Sequence, residues 1–359
     1  MFGVGFPSDE PVVCAVFGIQ YQGETPTKEK AALIDAFDNL IQPSASYIDN
    51  ILQEGQKHQR GWTTRIWLSY WTSKSHFSTW WDSPEVSAFW SSLRSDDAGV
   101  YREVMTISPR RTQFGTNKET LSGLANVGHL VPNTTTVFYW GCYRDRYQEA
   151  SPDNRMNSSL EEAPSPAQLS GTNIIRPGRV HMTRFPENLC FLVEGQDHSA
   201  IVPEEKSHWM ERFDDAVTTW MADLRDAGPK AGVLDARFCY EPGSGRYREN
   251  CSSKEEDPRS SLASLSYRRK VQIFWFLDHR HLEKIGRSNK GHSALRGNFI
   301  ESYCPAGPMG NIGQLMLWVE SSILKADEID ADGKHPGDQA RGAAAAIATT
   351  QVNDSIKRE

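Results

Sequence analysis

Unbroken apolar runs alternate along this chain with stretches whose apolar residues recur every three to four positions, and this predicts strands and helices in turn. Val12–Tyr21 (VVCAVFGIQY) is a near-continuous apolar run, fit for a buried strand. Lys28–Gln53 reads as mostly helix, with Leu33, Ile34, Phe37, Leu40 and Ile41 on one face and a break expected at Pro43. Thr64–Trp71 is a second strand, Ser75–Leu93 a helical stretch and Tyr101–Ile107 a third strand, ended by Pro109-Arg110-Arg111. In the second half, strands are predicted at Tyr139–Arg146, within Val180–Val193, and at Ala231–Tyr240, Val271–Leu277 and Leu315–Leu324. Helices are predicted over Pro203–Ala227 and around His281–Ile285. Glu149–Thr172 and Glu241–Ser261 are polar and read as loops. From Ala326 the chain turns polar, and 326–359 is expected to be a poorly ordered tail.

One short pattern recurs: Tyr70-Trp71 followed by His76-Phe77 returns as Trp275-Phe276 followed by His281-Leu282. Each time a strand feeds an amphipathic helix. Two strand–helix–strand halves of this kind build two open sheets that pack or close together, an α+β architecture. The halves are placed at 1–125 and 126–325.

Composition narrows the function. A net charge of −7 with no long basic run argues against nucleic acid as partner. No apolar stretch approaches the ~18–20 residues of a membrane span, and the first residues lack the pattern of a signal peptide. The six cysteines are scattered without a C-x-x-C pair, which argues against structural zinc and fits a reducing, cytoplasmic compartment. Eleven tryptophans point to a strongly aromatic core or pocket.

Candidate chemistry lies at three places. The Tyr139–Arg146 segment (YWGCYRDR) carries an Arg-Asp-Arg cluster at a strand end, where a guanidinium is either a donor for an oxygen-rich ligand or half of a surface ion pair. Glu194 ends the run Leu189–Val193 just before Gly195; facing an apolar pocket, its pKa would rise and it could serve as an acid near neutral pH. Among ten histidines none has H-E-x-x-H spacing, and His292 stands out for its small and apolar neighbours Ala294, Leu295, Gly297 and Phe299.

Several collinear segments resemble the heme-containing aldoxime dehydratases. They are Gly18-Ile19-Gln20-Tyr21-Gln22-Gly23-Glu24, Ser83-Pro84-Glu85-Val86 with Phe89-Trp90, Tyr101-Arg102-Glu103, Tyr139-Trp140-Gly141 with Arg144-Asp145-Arg146, Gly195-Gln196-Asp197, and Leu224–Gly228 with Arg237-Phe238. The resemblance covers roughly residues 12–325. It implies two ferredoxin-like halves forming a dimeric α+β barrel, similar to the chlorite dismutases, with heme b in one half and its iron ferrous in the active form. It places the proximal iron ligand on His292. Of the four distal residues of that family, the Arg falls on Arg146, the Ser on Glu194, the Glu on Gly115 and the His on Val319. The resemblance therefore implies a heme b lyase acting on an N–O (or N–N) bonded small molecule held through nitrogen, its distal pocket altered by Glu194 and Val319. Glu194 is expected to act as acid and base, and Arg146 to hold the leaving oxygen. A peroxidase-like oxidoreductase using Arg146 and Glu194, or a non-catalytic heme-binding barrel, are the alternatives. A homodimer is a further expectation, as is a start about thirty residues shorter than the resemblance would place it.

Overall fold

The computed structural model of the chain describes residues 1–54, 61–94, 99–132, 144–163, 179–182, 185–248 and 258–334. Residues 12–107 run β2 (Val12–Gln22), α1 (Lys28–Ile41), β3 (Tyr47–Glu54), β4 (Trp62–Trp71), α2 (Lys74–Trp81), α3 (Pro84–Ser92) and β5 (Val100–Ile107), after a short β1 (Phe2–Gly5). Residues 189–324 repeat this order. They run β9 (Leu189–Asp197), α4 (Pro203–Arg212), α5 (Asp214–Ala227), β10 (Val233–Tyr240), β11 (Arg269–Phe276), α6 (His279–Ser288), α7 (Lys290–Tyr303) and β12 (Met316–Leu324). Between and after them lie β6 (Thr112–Thr116), β7 (His129–Pro132), β8 (Arg179–Met182) and β13 (Ile329–Lys334).

Each half is a ferredoxin-like βαββαβ unit. In the first the strands lie β3-β4-β2-β5, in the second β10-β11-β9-β12, all antiparallel. The two sheets join edge to edge where Cys239 and Tyr240 of β10 pair with Gln53 and Leu52 of β3. The α+β fold with two ferredoxin-like halves expected from the sequence is thus present.

The sheets put three layers of apolar side chains in different places. Alternate residues of both sheets, among them Val16, Leu68, Val193, Ile273 and Trp318, fill the barrel interior shared by the halves. Polar groups cross this interior. Arg237 of β10 pairs with Glu103 of β5 at 2.6 Å, both almost wholly buried, and Tyr70 of β4 donates to Glu320 of β12 at 2.8 Å. The outer face of the first sheet packs on α1–α3 through Phe17, Phe37, Trp67, Trp71, Trp80 and Trp90, so aromatic rings occupy the space between sheet and helices there. The outer face of the second sheet packs on α4–α7.

Several expectations need correction. The helix predicted over 28–53 stops at Ile41, and Tyr47–Glu54 is a strand whose apolar pairs, Tyr47-Ile48 and Ile51-Leu52, are four residues apart and mimic a helical face. Ser75–Leu93 holds two helices, because Ser83 caps a new one and Pro84 sits at its first turn. The long helix 203–227 breaks at Phe213. Residues 144–146 form a 3-10 turn rather than a strand end, and 133–143 lie outside the described residues. Residues 326–334 are not a loose tail: a 3-10 turn leads into β13, which pairs with β5 along its whole length. β6, assigned to the first half by a boundary at 125, pairs with β12 of the second. No helix among the described residues is long and apolar enough to cross a membrane. Cys14, Cys190, Cys239 and Cys304 are free thiols.

Candidate active site

A cavity opens between the outer face of the second sheet and its helices, with ≈ 1170 Å³ of space not filled by atoms, part of it open to solvent. Its floor is Leu192, Glu194 and Gln196 of β9 with Leu317 and Val319 of β12; its walls come from α4–α7. The same space in the first half is taken by the aromatic layer described above.

His292 enters this cavity because of how α6 hands over to α7. Asn289 ends α6 and caps α7, its side chain accepting from the backbone N–H of His292 at 2.8 Å. Its amide also donates to Asp223 of α5 at 2.7 Å, which ties the cap to the neighbouring helix. This puts His292 on the first turn of α7, facing the last turn of α6. There the ring Nδ1 lies 2.9 Å from the carbonyl oxygen of Gly286. A carbonyl only accepts, so Nδ1 carries the proton and Nε2 is left with its lone pair. Trp220 of α5 stacks on the ring, centroids 4.1 Å apart and planes 14° from parallel. Burial holds the imidazole below its ordinary pKa against the pull of the Gly286 bond, and Arg296 pushes the same way as burial. The ring is therefore held neutral, in one tautomer and one orientation. That is what an axial iron ligand requires: a lone pair on one nitrogen and a backbone bond on the other. Apolar walls at Leu295, Phe299, Met221 and Leu317 suit a flat macrocycle, so the residues present fit a heme.

Two carboxylates line the cavity, in opposite surroundings. Glu283 of α6 has cationic company in Arg144 at 3.3 Å and Arg287 at 3.6 Å, and the His279 ring lies 3.8 Å away. Glu194 forms no hydrogen bond or ion pair among the described residues, and burial alone pushes its carboxyl up to about 7. Such a group holds a proton near neutral pH and can still release it.

The β register explains the floor. Gly115 of β6, Val319 of β12, Glu194 of β9 and Gln272 of β11 are consecutive cross-strand partners, so they form one row on one face. Gly115, Val319 and Glu194, the three positions on which the resemblance placed altered distal residues, thus stand side by side. A Cβ at Gly115 would meet Val319 at an ordinary 3.6 Å, so that part of the row is open and apolar.

The structure brings His292, Glu194 and Val319 to one cavity; Arg146 is not among the lining residues. Arg144, two residues earlier on the same turn, is buried and reaches Glu283. Sequence reasoning passed over Gln272, Glu283 and Trp220. Gln272 lies mid-strand in VQIFWFL, and its one signal was to be the sole polar residue in that run. His198, just past the end of β9, is buried, stacked on Tyr247 and edge-on to Trp209.

Comparison with known proteins defines the class. Residues 15–332 match the haem-containing dehydratase family, and the chain belongs to that family. Among curated relatives it is similar to an aliphatic aldoxime dehydratase of a Pseudomonas species, 27% identical over 64% of each chain. One from Rhodococcus globerulus is 26% identical over 40% of this chain and 39% of that protein. The matched stretches thus span less than two thirds of these relatives. Among solved structures, aldoxime dehydratase OxdRE in complex with butyraldoxime superposes with TM-score 0.72 at 19% identity, covering 96% of this chain and 88% of the other. A second aldoxime dehydratase structure gives 0.69, also at 19% identity, covering 92% and 87%. The fold is shared.

Proposed function

We propose that the chain is a heme b lyase of the aldoxime dehydratase type that converts R–CH=N–OH to a nitrile and water, with Glu194 as its acid and base. The observation that carries this reading is the pairing, in one cavity of a haem-containing dehydratase, of a neutral oriented His292 with an otherwise unpartnered Glu194. A bound heme would supply ferrous iron, a centre to which the oxime nitrogen could bind so that its N–O bond is weakened. His292 would hold the cofactor through Nε2. Glu194, protonated at the start, gives its proton to the leaving hydroxyl oxygen, which departs as water as the N–O bond breaks. The carboxylate then takes the proton from the oxime carbon, and the cycle closes without net oxidation. One carboxyl does both transfers, because Val319 and Gly115 offer no titratable group beside it.

Activity in this scheme needs the protonated form, so turnover falls as pH rises through about 7. The leaving oxygen was expected to lie on Arg146, which is not among the residues that line the cavity. The test is optical. Reduced, heme-loaded protein should change its Soret band on adding an alkyl or aryl aldoxime under anaerobic conditions, and heme-loaded protein whose spectrum ignores every aldoxime would overturn the reading.

A further inference from the structure

Gln272 continues the cross-strand row of Gly115, Val319 and Glu194 just beyond the residues that line the cavity, and the reading above leaves it without a task. It is 1% exposed, and neither its amide nitrogen nor its amide oxygen finds a hydrogen-bond partner among the described residues. Leaving both ends of a buried carboxamide unpaired is costly, because each end has lost its water without gaining a partner. Its neighbours show which way it points. Val271, Ile273 and Trp275 of the same strand face the barrel interior, while Phe274 and Phe276 face the helices, so Gln272 by alternation faces the helices too. Its cross-strand partners are Glu194 on one side and Phe238 on the other. Phe238 offers no polar group. Directly opposed side chains have Cβ atoms about 5 Å apart, which lets a carboxamide and a carboxyl meet. Among the described residues Glu194 is the one hydrogen-bonding side chain laterally beside Gln272; the two are not bonded to each other in the structure, and neither has another partner there.

We infer that Gln272 is the positioning residue for Glu194: its amide N–H takes the carboxylate oxygen, and its amide oxygen takes the acid proton, as Glu194 passes between its two states. This rests on Glu194 being the proton carrier. An amide serves both states because it is donor and acceptor at once. The bond to the carboxylate is charge-assisted and the stronger of the two, so its net effect favours ionisation. It also turns the carboxyl to a fixed orientation on the floor, next to the apolar opening at Val319. Other titratable groups on the cavity walls are Glu283 and Arg287 of α6 and His292 and Arg296 of α7; α4 and α5 present apolar side chains.

The test uses the heme-loaded enzyme with Gln272→Met, which keeps the length and loses the hydrogen bonds, and Gln272→Glu. With Gln272→Met the alkaline limb of the kcat–pH profile should move up by about one unit, the size of one hydrogen bond to a charged group. With Gln272→Glu it should move further, because two adjacent carboxyls resist a second negative charge. Independently of turnover, the infrared C=O band of protonated Glu194, identified by its loss in Glu194→Gln, should shift in Gln272→Met to the higher frequency of a carboxylic acid without a partner. A limb and a band that both stay in place in Gln272→Met overturn the assignment. If Glu194→Gln keeps full activity, it is the proton-carrier reading that fails, and the infrared band still decides whether Gln272 holds Glu194.

Discussion

Glu194 should make the folded protein less stable as pH rises, and removing its charge should reverse this. Glu194 is only half-buried, so the rise of its carboxyl pKa from 4.5 to about 7 corresponds to at most about 3 kcal/mol of preference for the protonated form in the folded state. The sign follows from proton counts. Between pH 4.5 and 7 the folded chain keeps this proton while the unfolded chain has released it, so stability falls with rising pH across that window and stays lowered above it. Glu194→Gln carries no such titration. Its stability relative to wild type should therefore improve by about 2 kcal/mol between pH 5 and pH 8. Any constant cost of the new amide cancels in that difference. So does Glu320, whose carboxyl burial in the barrel interior pushes up to about 8, because both proteins contain it. The assay is denaturant or thermal unfolding of both proteins, heme-loaded, at several pH values, with turnover measured on the same samples. A wild-type-to-variant gap that is flat with pH, or that favours the variant at low pH, refutes the picture of an ionisable group stranded in an apolar floor.

Other outcomes follow from the same geometry. His292→Ala should lose the Soret band while the protein stays folded by circular dichroism; full heme retention would remove His292 as ligand. Arg146→Gln should lower turnover less than Glu194→Gln, whose loss is expected at about 10²-fold or more, the scale of a general acid; equal losses would bring Arg146 into the catalytic pocket. Gly195→Ala should lower the thermal midpoint, because its Cβ would stand 2.0 Å from the Trp318 ring on the interior face. The expected cost is about 1–3 kcal/mol, as for other overpacked cores, and an unchanged midpoint would mean the ring moves freely.

The parts of this protein that were legible in its sequence are those with strong local pattern. β2, β4, β11 and β12 are near-continuous apolar runs because each is covered on both faces, by the barrel interior and by helices. The echo at Trp71 and Trp275 marks equivalent strands, β4 and β11, each third in its ferredoxin-like half. β3 was hidden because the apolar residues of YIDNILQE, Tyr47, Ile48, Ile51 and Leu52, fall at spacings that also fit a helix, and its pairing with β4 and β10 decides the matter at long range. β13 was hidden because IDADGK has little apolar signature; it is held in place by pairing with β5 on one side and β8 on the other. At the site, Glu194 was visible as a charge ending an apolar strand. The row that joins it to Val319, Gly115 and Gln272 was not, because cross-strand register brings together residues from four distant segments. The glycine of Gly195-Gln196-Asp197 likewise made sense only once Trp318 was seen lying against it.

The most direct test of the account is nitrile formation. Reduced, heme-loaded wild type and Glu194→Gln are incubated anaerobically with an aldoxime, and nitrile is quantified by chromatography. The account predicts that wild type forms nitrile, with activity falling above about pH 7, and that the variant, with equal heme, loses about 10²-fold or more of the rate. No nitrile from heme-loaded wild type, or equal rates from the two proteins, would contradict it.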